Sequence, residues 1–392
     1  MRGALLGPAR PARRIATSTS ALAAAAACGA AYAWSAYALD PIALPIAVAG
    51  AAAVMIGLWR LEWGLALLLL LTPVSENTEL SDPGHAKLRF ALIGWTGLLV
   101  LVELGRLARS GDRLRTPAIG WAAVAFLAAG LVSIIVAVND SVAAGKLLML
   151  CGSVIVFGLI AFSIDSWARL EVVLAGAIVA GLVVSAHAII ERLTGHLSRI
   201  GFLDASGTVE YRVTSFFSHP NQLAGFVGVL IPIAAVLVRH AERRWLRIAA
   251  GLLIPLALVT IVFTYSRGAL VGLLGLSLLM VRNPRSWPLL AVALIAIAIV
   301  APGAWRDRIA NAGSLQTPEI ATRVEIWGAA IEAFGQRPSL GWGLNNFPEA
   351  YIALERPGRN FLGAGGFDVP PTAHNLYLNV AAEEGLVGLS AL

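Results

Sequence analysis

Four segments carry side chains suited to gripping phosphate and moving a proton. Phe263-Thr264-Tyr265-Ser266-Arg267-Gly268 places one arginine between Ser266 and Gly268, small residues that let a ligand approach the backbone. Thr317-Pro318-Glu319-Ile320-Ala321-Thr322-Arg323-Val324-Glu325-Ile326-Trp327 holds Arg323, with Trp327 one helical turn further on. Pro370-Pro371-Thr372-Ala373-His374-Asn375-Leu376-Tyr377 holds His374 beside Asn375. Tyr211-Arg212-Val213-Thr214-Ser215-Phe216-Phe217-Ser218-His219-Pro220-Asn221 adds Arg212 and His219. Guanidinium groups bind phosphate oxygens in bidentate fashion, so several of them can hold a pyrophosphate and stabilise it as it departs. A neutral imidazole can take the proton of an attacking hydroxyl.

Each of these residues also has a plain structural role open to it. Arg267 can snorkel and cap a helix hairpin, Arg323 can stack on Trp327, and His374 can be a hydrogen-bonded interface residue. Arg212 fits a basic loop flanking a helix. Metal chemistry has no support, because His-Glu-x-x-His, a cysteine pair and clustered aspartates are all missing from the loops. No phosphate-cradling nucleotide loop is present either. The spacing therefore predicts neither a metal nor a cofactor.

The elements that position these residues are set by composition. Of 392 residues, 58% are hydrophobic and 13% charged, about half the charge density of a soluble domain, and mean hydropathy is +0.78. So little charge cannot cover soluble cores of this size, and the apolar surface must face lipid. Apolar runs of spanning length predict helices at 22–39, 42–59, 61–74, 88–105, 117–138, 144–164, 170–190, 222–238, 247–265, 268–281 and 287–303, with a further helix opening near Thr372. The runs are continuous rather than alternating, which excludes a β-barrel. The fold class expected is all-α: a polytopic membrane bundle of about 11 to 12 helices. Cys28 and Cys151 lie inside apolar runs and make no disulfide framework.

A net charge of +6 could suggest nucleic acid, but the basic residues mark topology instead. With the N-terminus inside and its first span uncleaved, one side collects Arg2, Arg10, Arg13, Arg14, Arg60, Arg106, Arg109, Arg113, Arg115, Arg169, Arg239, Arg243, Arg244, Arg247, Arg282 and Arg285. The opposite short loops hold only Lys87, Arg89 and Lys146. The domain plan expected is a basic tail over 1–21, a bundle over 22–303 with an outer loop at 191–221, a large outer loop at 304–373, and the start of a last span over 374–392. All four chemical segments then face outward.

Within the large loop, Thr317 and Pro318 predict a helix start and Gly335 its end. Ile320, Val324, Trp327, Ile331 and Phe334 form an apolar stripe, with Arg323 about 60° from its centre at 100° per residue. Thr372 and the two prolines predict a second start that puts His374 in the first turn, where the helix dipole favours a neutral imidazole. If that last helix stays outside the hydrocarbon through Glu383 and Glu384, Gly385 to Leu392 supply only ~12 Å of it, against a core of ~30 Å. The alternative buries two glutamates, so a chain continuing beyond Leu392 is expected.

Three of these segments carry a family resemblance. Tyr265-Ser266-Arg267-Gly268, then Arg323 to Trp327 with Gly341-Trp342-Gly343 and Asn346-Phe347, then His374-Asn375 leading to Glu384-Gly385-Leu386-Val387-Gly388-Leu389, resemble the O-antigen ligase and polymerase superfamily over about the last 180 residues. The resemblance implies a bacterial inner-membrane protein that transfers a glycan from undecaprenyl diphosphate to an acceptor on the periplasmic side, without metal, ATP or cofactor. In the ligase branch the acceptor is a sugar of lipid A-core. It also implies that Arg267 and Arg323, with Arg212 as a weaker match, engage the diphosphate, and that His374 activates the acceptor hydroxyl. Asn375 then supports His374 or caps its helix. A polymerase or a protein glycan transferase of the same superfamily remains open. A lipid or polysaccharide transporter is the rival from another class, but it predicts ionisable residues near span centres or a half-to-half repeat, and neither stands out.

Overall fold

A computed structural model describes residues 57–75, 83–110, 118–196, 200–203, 209–281, 318–354 and 370–392. The expected spans at 22–39 and 287–303, nearly all of that at 42–59, and the N-terminal tail lie outside the described residues. Elsewhere the apolar runs are helices: α1 (Leu61–Ser75), α2 (Pro83–Ser110), α3 (Ala118–Ile134), α4 (Asp140–Ser163), α5 (Trp167–Thr194), α6 (Pro220–His240), α7 (Arg244–Thr264) and α8 (Arg267–Val281). The large loop contributes α9 (Pro318–Gln336) and α10 (Phe347–Ala353), and the chain ends in α11 (Leu376–Ala391). The 191–221 loop holds one small hairpin, β1 (Gly201–Leu203) paired with β2 (Val209–Tyr211). Among the described residues, α4, α5, α6 and α7 are long and apolar enough to cross a membrane.

The chain divides into two compact units. The first contains α1, α2 and α5 to α8, and its core lies where α5, α6 and α7 meet: Ile178, Val227, Leu237, Leu246, Leu253 and Ile261 are all buried there. The ends of its helices follow local chemistry. His219 caps α6 by accepting the Asn221 N–H on Nδ1 at 3.1 Å, with Pro220 in the first turn where a missing N–H costs nothing. Tyr265 closes α7 in the left-handed region at φ 50°.

The second unit contains α3, α4 and α9 to α11. Here α9 packs on α11, α11 on α3, and α10 on both α9 and α11. Its core is built of Ile326, Ala329, Ala330 and Ala333 from α9, with Trp342, Phe347, Tyr351, Ala373 and Ala382. α9 starts at Pro318 and ends at Gln336, as its sequence predicts. Its buried face is nevertheless not the stripe of large residues, since Val324 and Ile331 are exposed and the alanines turn inward. Small side chains let two helix backbones approach closely, which makes the alanine face the better packing surface.

Candidate active site

In the first unit, Arg212 is anchored to the turn that presents Arg267. Its side chain is buried; Nε donates to the Thr264 carbonyl at 2.6 Å and one terminal nitrogen donates to Asn221 Oδ1 at 3.0 Å. The neighbouring Val213 N–H donates to the Phe263 carbonyl at 3.4 Å. The segment ahead of α6 is therefore tied to the end of α7, one residue before a tight reversal. Tyr265, fully buried and left-handed, makes that reversal, and α8 then opens at Arg267. Buried Ser266 caps it weakly, its Oγ accepting the Ala269 N–H at 3.4 Å. Arg267 itself is half-buried and Gly268 is exposed. The turn predicted at Arg267 is thus present, and Arg212 is a built part of it rather than a loose basic loop.

In the second unit, His374 and Arg323 fall within electrostatic reach of each other. The His374 side chain meets solvent, yet the protein around it lowers the imidazole's pKa below its ordinary value through burial, and the Arg323 charge lowers it further. The imidazole is therefore neutral at neutral pH and can accept a proton. Its position differs from the one expected. His374 precedes α11 instead of sitting in the first turn, and its backbone is left-handed at φ 51°. The capping residue is Asn375, not Thr372: Asn375 Oδ1 accepts the N–H groups of Tyr377 at 3.0 Å and Leu378 at 3.3 Å. Thr372 Oγ1 instead accepts the His374 N–H at 3.4 Å.

Arg323 lies on the exposed side of α9, one turn from half-buried Trp327. The indole Nε1 of Trp327 is buried without a hydrogen-bond partner. An arginine has no acceptor and always carries its charge, so Arg323 offers a fixed cation beside the histidine.

Sequence reasoning passed over what holds α11 in place. The helix breaks at Gly385, with φ 64° and ψ −153°, and the segment after α9 is laid across the break. The N–H groups of Trp342 and Gly343 donate to the carbonyls of Ala382 and Glu383, both at 2.9 Å. On the other side, Leu386 N–H donates to the Pro338 carbonyl at 2.8 Å and Val387 N–H to that of Ser339 at 3.3 Å. The backbone groups freed by the break are thus satisfied by a clasp of residues 338–343. Gly341 and Gly343, both at positive φ, let the clasp lie this close: a Cβ on Gly341 would stand 2.3 Å from the Glu383 carbonyl carbon.

Both Glu383 and Glu384 are buried at the break. The Glu383 carboxylate accepts the Asn345 N–H at 2.9 Å and the Phe347 N–H at 3.3 Å, so it fixes the chain entering α10. Fully buried Asn346 continues the network, its Oδ1 accepting the Asn139 N–H at 2.6 Å. Arg337 stacks on Trp342 with its guanidinium 4.0 Å from the ring centroid, closing the outer side of the clasp. The only sequence signal for this assembly was the Gly-Trp-Gly and Glu-Gly-x-x-Gly spacing.

Fold and site together define a multi-pass helical membrane protein whose chemistry-bearing residues sit at helix ends and in the chain between α8 and α11. Residues 252–392 match the family model described as O-antigen ligase. That stretch is similar to the O-antigen ligase family, in keeping with the resemblance carried by the residues around Arg267, Arg323 and His374. All three fall inside the matched stretch, whereas Arg212 lies before it. No curated protein matches the chain.

Proposed function

We propose that this protein transfers a glycan from an undecaprenyl-diphosphate donor to an acceptor hydroxyl on the periplasmic side of the inner membrane, with a lipid A-core sugar as the acceptor. The observation that carries the reading is His374: a neutral imidazole held ahead of a helix, under the charge of Arg323, within a stretch similar to the O-antigen ligase family.

In the proposed step the acceptor oxygen attacks the anomeric carbon while His374 takes its proton. The bond from that carbon to the diphosphate oxygen breaks, and the lipid diphosphate leaves with the electron pair, so the sugar inverts. Arg267, Arg323 and Arg212 neutralise the leaving group, and the glycosyl diphosphate bond supplies the driving force without ATP, metal or cofactor. Arg323 has a second effect. It keeps His374 unprotonated before reaction and repels the imidazolium formed during it, which favours passing the proton on to the departing diphosphate. A donor anchored in lipid accounts for a site at helix ends rather than in a soluble domain.

The test is deletion in the native bacterium. The reading predicts loss of long polysaccharide from lipid A-core while lipid-linked chains persist at normal length. Shortened lipid-linked chains with normal attachment would replace it with a polymerase.

A further inference from the structure

A left-handed histidine just outside a helix does not hold its own geometry, because such a backbone persists only where its surroundings fix it. The group adjoining His374 is the Ala373 N–H, in a residue that is fully buried. It donates to Asn379 Oδ1 at 2.9 Å. Asn379 belongs to the first turns of α11, where its own N–H donates to the Asn375 carbonyl at 2.8 Å. Its side chain also lies within electrostatic reach of the Glu383 carboxylate, four residues on and on the same helix face. Glu383 accepts in turn from Asn345 and Phe347. A row of polar groups therefore runs from the residue before His374, along α11, to the clasp that follows α9.

We propose that Asn379 is a positioning residue for His374: it holds the Ala373–His374 backbone so that the imidazole stands beside Arg323. Asn379 suits the task because its amide oxygen accepts from Ala373 while its amide nitrogen can donate toward the nearby Glu383 carboxylate. A leucine of similar size can do neither. The charged groups within reach of this chain are Arg323 at the histidine and Glu384 and Lys146 at the glutamates. None of them can supply the acceptor that Ala373 N–H needs, since that position is filled by Asn379. The inference rests on the proposed role of His374 as a base, and Asn379 acts through it without touching substrate.

The experiment uses the purified full-length protein and two readouts. The first is the pH dependence of His374 carbethoxylation by diethylpyrocarbonate, resolved by peptide mass spectrometry and measured without substrate. The second is kcat and donor KM for glycan transfer. Asn379→Leu is expected to raise the carbethoxylation midpoint toward that of an ordinary histidine, and to lower kcat about 100-fold while KM stays within about twofold, as a displaced catalytic group does. Asn379→Asp keeps an oxygen that accepts from the Ala373 N–H, so this variant is expected to keep most of kcat. An unmoved midpoint and unchanged kcat in a folded Asn379→Leu protein would overturn the inference. So would a folded Asn379→Asp protein that loses kcat as fully as Asn379→Leu. Because the carbethoxylation readout needs no turnover, absence of glycan transfer in the wild type would count against the proposed function and leave the positioning test standing.

Discussion

Gly385→Ala probes the broken helix most directly. At φ 64° and ψ −153°, Gly385 occupies a region essentially closed to residues with a Cβ, and forcing one there costs about 1 to 3 kcal/mol. The added methyl group would stand 2.5 Å from the carbonyl carbon and oxygen of Ser339 and 2.7 Å from the Leu340 nitrogen. These are backbone atoms that cannot swing aside, and overpacking of this kind adds about 1 to 3 kcal/mol. Relief by moving residues 338–343 would break the hydrogen bonds from Leu386 and Val387, so the total is about 2 to 6 kcal/mol. The assay is thermal unfolding in detergent followed by tryptophan fluorescence, with Trp342 inside the clasp as a local reporter. Its indole donates to the Ala333 carbonyl at 3.0 Å and is buried. The expected result is a midpoint lowered by at least about 4 °C, at roughly 2 to 4 °C per kcal/mol. Gly335→Ala, in the same unit on α9 with nothing within 4 Å of the added carbon, serves as the control and should be neutral or slightly stabilising. A Gly385→Ala protein that melts with the wild type would refute the clasp.

The remaining predictions concern the candidate catalytic groups and their supports. Glycan transfer should fall on its acid side with a midpoint below about pH 6.5, the ordinary histidine value, because only neutral His374 accepts the proton; Arg323→Gln should move that limb upward in a pH-rate profile. The same lowered pKa sets the sign for stability. Above about pH 6.5 the group is neutral folded and unfolded and costs nothing, whereas below it the unfolded chain takes the proton more readily and stability declines, measurable as a melting midpoint that drops with pH. Arg212→Met should lose about 1.5 to 3 kcal/mol for each hydrogen bond from its charged head to Thr264 and Asn221, and should reduce transfer as the Arg267 turn loosens; a full-rate, fully stable variant would remove Arg212 from the site. Asn346→Leu should cost about 2 to 4 kcal/mol in thermal unfolding, since it leaves the Asn139 N–H and carbonyl without their side-chain partner.

Much of this arrangement was legible in the sequence, and the exceptions have identifiable causes. Pro318 and the residues around Gly335 bound α9 correctly, and Phe263 to Gly268 gave the tight turn that presents Arg267, because caps, prolines and glycines act locally. His374 was placed one turn too deep because Thr372 and Asn375 both offer a capping oxygen three residues apart. The left-handed backbone at His374 decides in favour of Asn375, and no sequence pattern states that a histidine will adopt it. The inward-packing face of α9 was not named by its apolar stripe, for another reason. Periodicity weights large residues such as Val324 and Ile331, while close packing selected Ala329, Ala330 and Ala333. Burial of Glu383 and Glu384 was the disfavoured alternative for a third, since the groups that satisfy Glu383 include backbone amides 36 and 38 positions away.

The central claim is that His374 serves as the base in metal-free glycan transfer from a lipid diphosphate. It is tested most directly by incubating purified protein, in chelator and without ATP, with a defined undecaprenyl-diphosphate glycan and lipid A-core. The account predicts glycosylated lipid A-core with release of undecaprenyl diphosphate, and a rate lowered by at least about 100-fold in a folded His374→Ala protein. Full transfer by His374→Ala, or a requirement for added metal or ATP, would contradict it.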